Sequence, residues 1–335
     1  IGLTYGTTST IDYQLKGSQI NGLTSGEYSG YSVSINSTGT IVAIGAYSFD
    51  GGAGTNSGTT RIYEWNGTAW VLKGNQINGL TTQELSGYSV SINNDGTIVA
   101  IGAYANDDAG SNAGTTRIYE WNGTAWVLKG SQINGLTSGE KSGMSVSINS
   151  DGTVVAISAY ANNSNTGTTR IYEWNGTAWV LKGSQINGLT SGERSGFSVS
   201  LNNAGTVVVI GAYYYDNQRG KARIYEWSGT AWSLKGSYGI DGLVSGERFG
   251  HNVSINGDGT VVAIGAYRNN SSTGLTRIYK WNGTVWRLKN QINGLTSGEE
   301  FGFSVSLSDN GNVFASGGSQ YDFGTGTNSG ITRIY

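Results

Sequence analysis

Few residues of this chain could do chemistry, and most of those recur. His251 is the only histidine and there is no cysteine, so neither a multi-imidazole metal site nor a thiol nucleophile can be assembled. An arginine returns at Arg61, Arg117, Arg170, Arg223, Arg277 and Arg333, and a glutamate precedes each one, at Glu27, Glu84, Glu140, Glu193, Glu247 and Glu299. Repeated copies of one charge pair suit a structural tie between loops better than a single asymmetric active site. Adjacent acids such as Asp107-Asp108 and Glu299-Glu300 point to opposite sides of an extended chain. No glycine loop joins a strand to a helix in the manner that cradles phosphate. The chain reads as a non-enzyme.

The recurring arginines open a phrase, "RIYEWNGTAWVLKG", which starts at Arg61, Arg117 and Arg170, drifts at Arg223 and Arg277, and stops after "RIY" at Arg333. In the second copy, Gly87–Ile92 alternates Tyr88, Val90 and Ile92 with serines, the period of a half-buried strand A. A turn with Asp95-Gly96 leads to Ile98–Ala103, apolar throughout and so buried on both faces as strand B. Thr116–Trp121 is strand C, Asn122-Gly123 the next turn, and Trp126–Lys129 strand D. Helical periodicity is absent. The reading is all-β.

A four-stranded unit repeated six times is either a propeller or a solenoid. The sixth unit lacks strand D, whereas Thr10–Lys16 supplies a D-like strand with no A, B or C before it. Pairing the first strand with the last unit would close a ring and leave no open sheet edge. We therefore expect one domain over residues 1–335, a six-bladed β-propeller of four-stranded antiparallel blades. It comprises an arm (1–9), a closing strand (10–20), and blades near 21–74, 75–130, 131–183, 184–236, 237–290 and 291–335. A start at Ile1 suggests a removed leader or a fragment.

With a formal charge of −2 and 13% charged residues, the basic groups scattered, nucleic acid is not an expected partner. No run approaches the roughly 18 apolar residues of a membrane span, so insertion is not expected either.

Phe249-Gly250 and Phe301-Gly302, followed by Gly265-Ala266-Tyr267 and its counterparts Gly45-Ala46-Tyr47, Gly102-Ala103-Tyr104 and Gly211-Ala212-Tyr213, resemble the FG-GAP repeats of integrin-like β-propellers, with Tyr in place of Pro. The resemblance spans residues 10–335 and implies a propeller used for adhesion and assembly outside the cell or on a particle surface. Many such propellers hold calcium in the A–B turn. Here those turns, from "NSTGT" to "SDNGN", offer at most one carboxylate each, too few for a hard cation, so no cofactor is expected.

The tryptophan pairs, Trp65/Trp70 through Trp281/Trp286, could stack on sugars, but their equal settings favour packing across hairpins. Candidate glycosylation sites are Asn66, Asn122, Asn175 and Asn282 in Asn-Gly-Thr turns, with Asn36 and Asn270 as further exposed positions. Variation concentrates in the B–C loops and at the residue after each recurring glutamate, all on one face. That face is the expected partner surface, with Tyr28, Lys141, Arg194, Tyr214, Tyr215, Arg219, Arg248, Tyr321 and Phe323 as its candidate contacts. The functional expectation is a non-enzymatic adhesive or architectural module. It would be extracellular, on a cell surface or on a virion, able to self-assemble, and would bind protein or glycan. The alternative is a lectin-like propeller.

Overall fold

In the computed structural model, which describes residues 15–320 and 330–335, the chain is a six-bladed β-propeller of antiparallel sheets. The second blade shows how the sequence builds each unit. Strand A (Ser89–Ile92) lines the channel, strand B (Ile98–Ala103) follows it, and strands C (Thr115–Trp121) and D (Trp126–Leu128) complete the outer part. Strand B is buried on both faces because a blade lies against each. Ile41, Ala43 and Ile62 of the first blade meet Val90, Ile92, Val99 and Ile101 of the second in one core. Truncating such an isoleucine to alanine costs about 2–5 kcal/mol.

Strand D is longer than the sequence pattern indicates, and broken. After Leu128 the chain bulges through Lys129 and Gly130, then Ile133 and Asn134 pair again with Thr116 and Thr115. The glycine of this bulge is required: on Gly130, at φ 75°, a Cβ would fall 2.7 Å from the Trp174 ring of the next blade. In the fifth blade the segment is one residue shorter, "RLKNQIN", and strand D runs unbroken over Trp286–Asn293. The B–C loops of blades three to five are also not plain coil. Each holds three consecutive residues at positive φ, such as Asp216, Asn217 and Gln218 at 46°, 54° and 63°.

Blades are stitched by serine. The amide N–H groups of Ile92, Ile148, Leu201, Ile255 and Leu307 donate to the hydroxyls of Ser34, Ser91, Ser147, Ser200 and Ser254 in the preceding blade. The two halves of the Phe-Gly and Gly-Ala-Tyr pattern meet at the same junctions. A Cβ on Gly211 would fall 2.0 Å from the Gly250 carbonyl oxygen of the next blade, so only glycine permits the approach. Between the sixth and first blades these contacts do not occur among the described residues. Val33 and Ile35 are 63% and 57% exposed there, whereas Val90 and Ile92 are 9% and 7% exposed. The expected closing strand, Thr10–Lys16, lies almost wholly outside the described residues. At its end, the Lys16 carbonyl accepts the Trp70 indole N–H at 2.8 Å, just as the Lys73 carbonyl accepts that of Trp126 at 2.8 Å. Among the described residues, no helix is long and apolar enough to cross a membrane.

Candidate binding site at the channel mouth

In the first five blades the recurring charge pairs are ties, as expected, and leave no carboxylate oxygen free; in the sixth, Arg333 stands 2.8 Å from Glu299, whose Oε1 has no hydrogen-bond partner among the described residues. Arg170 grips Glu140 with two bonds of 2.7 and 3.0 Å, and the same fork joins Arg61 to Glu27, Arg117 to Glu84, Arg223 to Glu193 and Arg277 to Glu247. Each glutamate also accepts a backbone N–H from the turn before it, Leu136 in the case of Glu140, whose other oxygen takes Thr137 and Asn162. Burial alone would raise the Glu140 pKa; the bonds from Arg170 and Leu136 outweigh it and hold the carboxyl below its usual range. A carboxylate so saturated cannot take a proton from substrate. The pairs hold each interblade link to the strand C that follows it.

The residue after each glutamate is different. Tyr28, Leu85, Lys141, Arg194, Arg248 and Glu300 all sit at φ between 53° and 58°, a region that side chains other than glycine enter at a cost. The preceding blade holds them there. The N–H groups of Lys141, Arg194 and Arg248 donate to the carbonyls of Asn112, Asn165 and Gln218, each in a B–C loop, at 3.1, 2.8 and 2.8 Å. The φ of this position is thus constant around the mouth while the side chain varies, only blades four and five sharing an arginine.

On blades four and five the side chains converge. The Arg194 guanidinium lies 4.1 Å from the centre of the Tyr214 ring, and that of Arg248 lies 5.6 Å from the same ring. Arg194 donates to the Tyr213 hydroxyl at 2.6 Å, and Arg248 donates to the Tyr267 hydroxyl and, at 2.8 Å, to the Gln218 side chain. Lys141 continues the arc, 5.7 Å from the Tyr104 ring and 5.8 Å from Tyr160. The acids nearest in sequence, Glu193 and Glu247, are already neutralised by Arg223 and Arg277. Glu300, the acid at the mouth position of the sixth blade, is engaged by Arg268 at 3.4 Å and by the Ser319 hydroxyl at 2.8 Å.

Below the arc a channel of about 600 Å³ opens, its upper ring formed by Tyr31, Tyr88, Met144, Phe197, His251 and Phe303. His251 is packed between Phe197 and Phe303, with ring centres 5.0 and 4.8 Å away, so it fills an aromatic position. Burial pushes its pKa down to about 4, the Phe303 carbonyl opposing and the Arg248 charge assisting. It is a neutral ring at physiological pH, poorly placed to act as a general base.

Of the expected contacts, the structure brings together Arg194, Tyr214 and Arg248, with Lys141 beside them. Tyr28 faces the mouth from the first blade, stacked on Tyr47 at 5.3 Å. Tyr215 and Arg219 are not part of the cluster: Tyr215 lies under Lys221 and Arg223, and Arg219 pairs with Asp216 at 2.7 Å. Tyr321 and Phe323 fall outside the described residues. Tyr213, Tyr267 and Gln218, which bond Arg194 and Arg248, were not among the expected contacts, although the recurring tyrosine after Gly-Ala was a signal for the first two.

Other expectations are revised. Asn36 is buried, not exposed; its side-chain oxygen accepts the N–H groups of Thr40 and Ile41 and shapes the A–B turn, so it is a poor glycan acceptor. Asn66, Asn122, Asn175 and Asn282 are exposed, as is Asn270. Their hairpins are four-residue loops rather than two-residue turns: Trp121 pairs with Trp126, and the Asn122 side chain accepts the N–H groups of Thr124 and Ala125. The tryptophan pairs pack. Trp179 donates to the Lys129 carbonyl at 2.9 Å, and the Lys129 ammonium sits 5.1 Å from the Trp174 ring, joining neighbouring blades.

No family model and no curated protein matches the chain. Among solved structures it is similar to the hydrazine synthase of Kuenenia stuttgartiensis, at 11% identity, covering 85% of this chain and 79% of that one with a TM-score of 0.54. It is also similar to a Bacteroides uniformis protein provisionally assigned as a 6-phosphogluconolactonase, at 8% identity, covering 91% and 88% with a TM-score of 0.60. At such identities the likeness defines a class, the β-propellers, and no activity.

Proposed function

We propose that this propeller is a non-enzymatic interaction module of a cell, filament or virion surface, and that the face carrying the B–C loops recognises its partner. The observation that carries the reading is the mouth position: one strained backbone conformation in every blade, presenting five different residue types over six blades, with arginine on two neighbours. A rigid frame presenting variable groups is the arrangement of a recognition surface. The resemblance to FG-GAP repeats points the same way, and the hydrogen-bonded glutamates of the first five blades and the neutral His251 are poorly suited to acid–base turnover. A second reading, recognition of glycan, is favoured by the aromatic ring beneath the cationic arc.

The test is adhesion of chain-coated beads to matrix, cell and glycan surfaces. Arg194→Glu with Arg248→Glu should abolish it, whereas Thr124→Lys on the opposite face should not. Adhesion lost equally in both variants, or absent from every surface, would refute the proposal.

A further inference from the structure

Arg194 and Arg248 raise a specific question, because two guanidinium groups share one tyrosine pair with no acid between them. Arg194 is 5.7 Å and Arg248 6.0 Å from the centre of the Tyr213 ring, and both also address Tyr214. Bringing like charges together over partly buried rings is unfavourable unless an anion completes the set. Each guanidinium spends one N–H on a tyrosine hydroxyl, and Arg248 a further one on Gln218. Nη2 of both, and Nε of Arg194, have no partner among the described residues. On Arg194 the free Nε and Nη2 form one planar edge that matches a carboxylate, while Arg248 adds a single free Nη2 beside it. Phe197, backed by the buried His251 at 5.0 Å between ring centres, presents apolar surface just below, of the kind that covers the C–H face of a sugar.

We infer that the mouth above blades four and five binds an acidic saccharide, its carboxylate held by Arg194 and Arg248 and its ring against the aromatic layer at the top of the channel. The inference rests on the reading of this face as the recognition surface. Lys141, one blade away with its ammonium unpaired among the described residues, is positioned to meet a second acid on the same chain. A polymer of uronic acids is the ligand chemistry that satisfies all three cations.

The experiment is calorimetric titration with tetra-galacturonate and with the same tetramer fully methyl-esterified, which keeps the rings and removes the charge. The acid should bind and the ester should bind at least about 10-fold more weakly, since about 1.4 kcal/mol of lost charge-assisted bonding is tenfold. Arg194→Gln and Arg248→Gln should each weaken the acid by about tenfold, and Lys141→Gln by a few-fold. Arg219→Gln, already occupied with Asp216, should change nothing. Circular dichroism checks that each variant is folded, and Arg194→Lys, which keeps the charge but loses the fork, should fall between wild type and Arg194→Gln. Equal binding of acid and ester, no binding of the acid, or an Arg219→Gln effect as large as that of Arg194→Gln would overturn the inference. If the acid fails while beads still adhere in an Arg194-dependent manner, the ligand class is wrong and the recognition face stands. If adhesion fails as well, both fall.

Discussion

Blades one and two differ from blades three to five in ways that separate scaffold from site. The first two carry long B–C loops, "SFDGGAGTNSG" and "ANDDAGSNAG", and uncharged mouth residues, Tyr28 and Leu85. The next three carry seven-residue loops with left-handed runs, and the cations Lys141, Arg194 and Arg248. Yet the buried Glu–Arg fork, the serine stitch and the packed tryptophans are the same in both halves. What is shared holds the ring, and what differs meets the outside. At the mouth position the asymmetry lies in side chains on equal backbone, and in the B–C loops it extends to the backbone itself.

The sharpest way to break this comparison is to remove a tie from each half. Glu84→Ala and Glu140→Ala should each destabilise by about 3–5 kcal/mol in denaturant unfolding, because each strands a buried guanidinium. A large difference between them would mean that the halves do not share one frame. His251 tests the cationic half by pH. Its folded pKa lies below the ordinary histidine value of about 6.5, so the unfolded chain binds the extra proton between pH 6.5 and 4. Stability from this group is complete above pH 6.5 and is lost on acidification towards pH 4, by about 3 kcal/mol. His251→Phe, the residue found at Phe197 and Phe303, should flatten that slope above about pH 5, before the carboxyl groups titrate. A slope unchanged in the variant would assign the loss elsewhere.

Smaller effects should sharpen the distinction. Leu85→Gly and Arg194→Gly each relieve a positive φ and should raise stability by up to about 1 kcal/mol, with only Arg194→Gly abolishing adhesion. Loss of stability in either would show that the side chain, not the backbone, secures the mouth. At the far face, Asn122→Ala should cost about 1 kcal/mol by removing the loop's acceptor, and Asn122→Ser much less, since Ser228 already accepts the Ala231 N–H at 3.1 Å.

The sequence carried the fold where its signals were periodic. Strand B is legible because six consecutive apolar residues can only be buried on both faces, and the structure places it over the same residues, Ile98–Ala103. The second half of strand D was not, because Ile133 and Asn134 are too short to show alternation and follow a glycine bulge that resembles a loop end. At the site, Arg194 and Arg248 stood out as charges at a repeating position. Tyr215 and Arg219 did not belong with them because Tyr215 packs under Lys221 and Arg223 and Arg219 is held by Asp216, across a left-handed run of Asp, Asn and Gln that the residue types do not announce. The burial of Asn36 follows from local turn chemistry: its side chain accepts the N–H groups of Thr40 and Ile41 in the A–B turn, which a glycosylation pattern alone does not reveal.

The exposed Asn-Gly hairpins carry a chemical consequence. An asparagine followed by glycine is among the most thermolabile pairs in proteins, closing to a cyclic imide that reopens as an acid. Four such loops, at Asn66, Asn122, Asn175 and Asn282, project from the side away from the mouth. Ageing of the molecule is therefore expected there, as a ladder of acidic isoforms on isoelectric focusing, and also at the exposed Asn187-Gly188 and Asn293-Gly294 pairs on the mouth side.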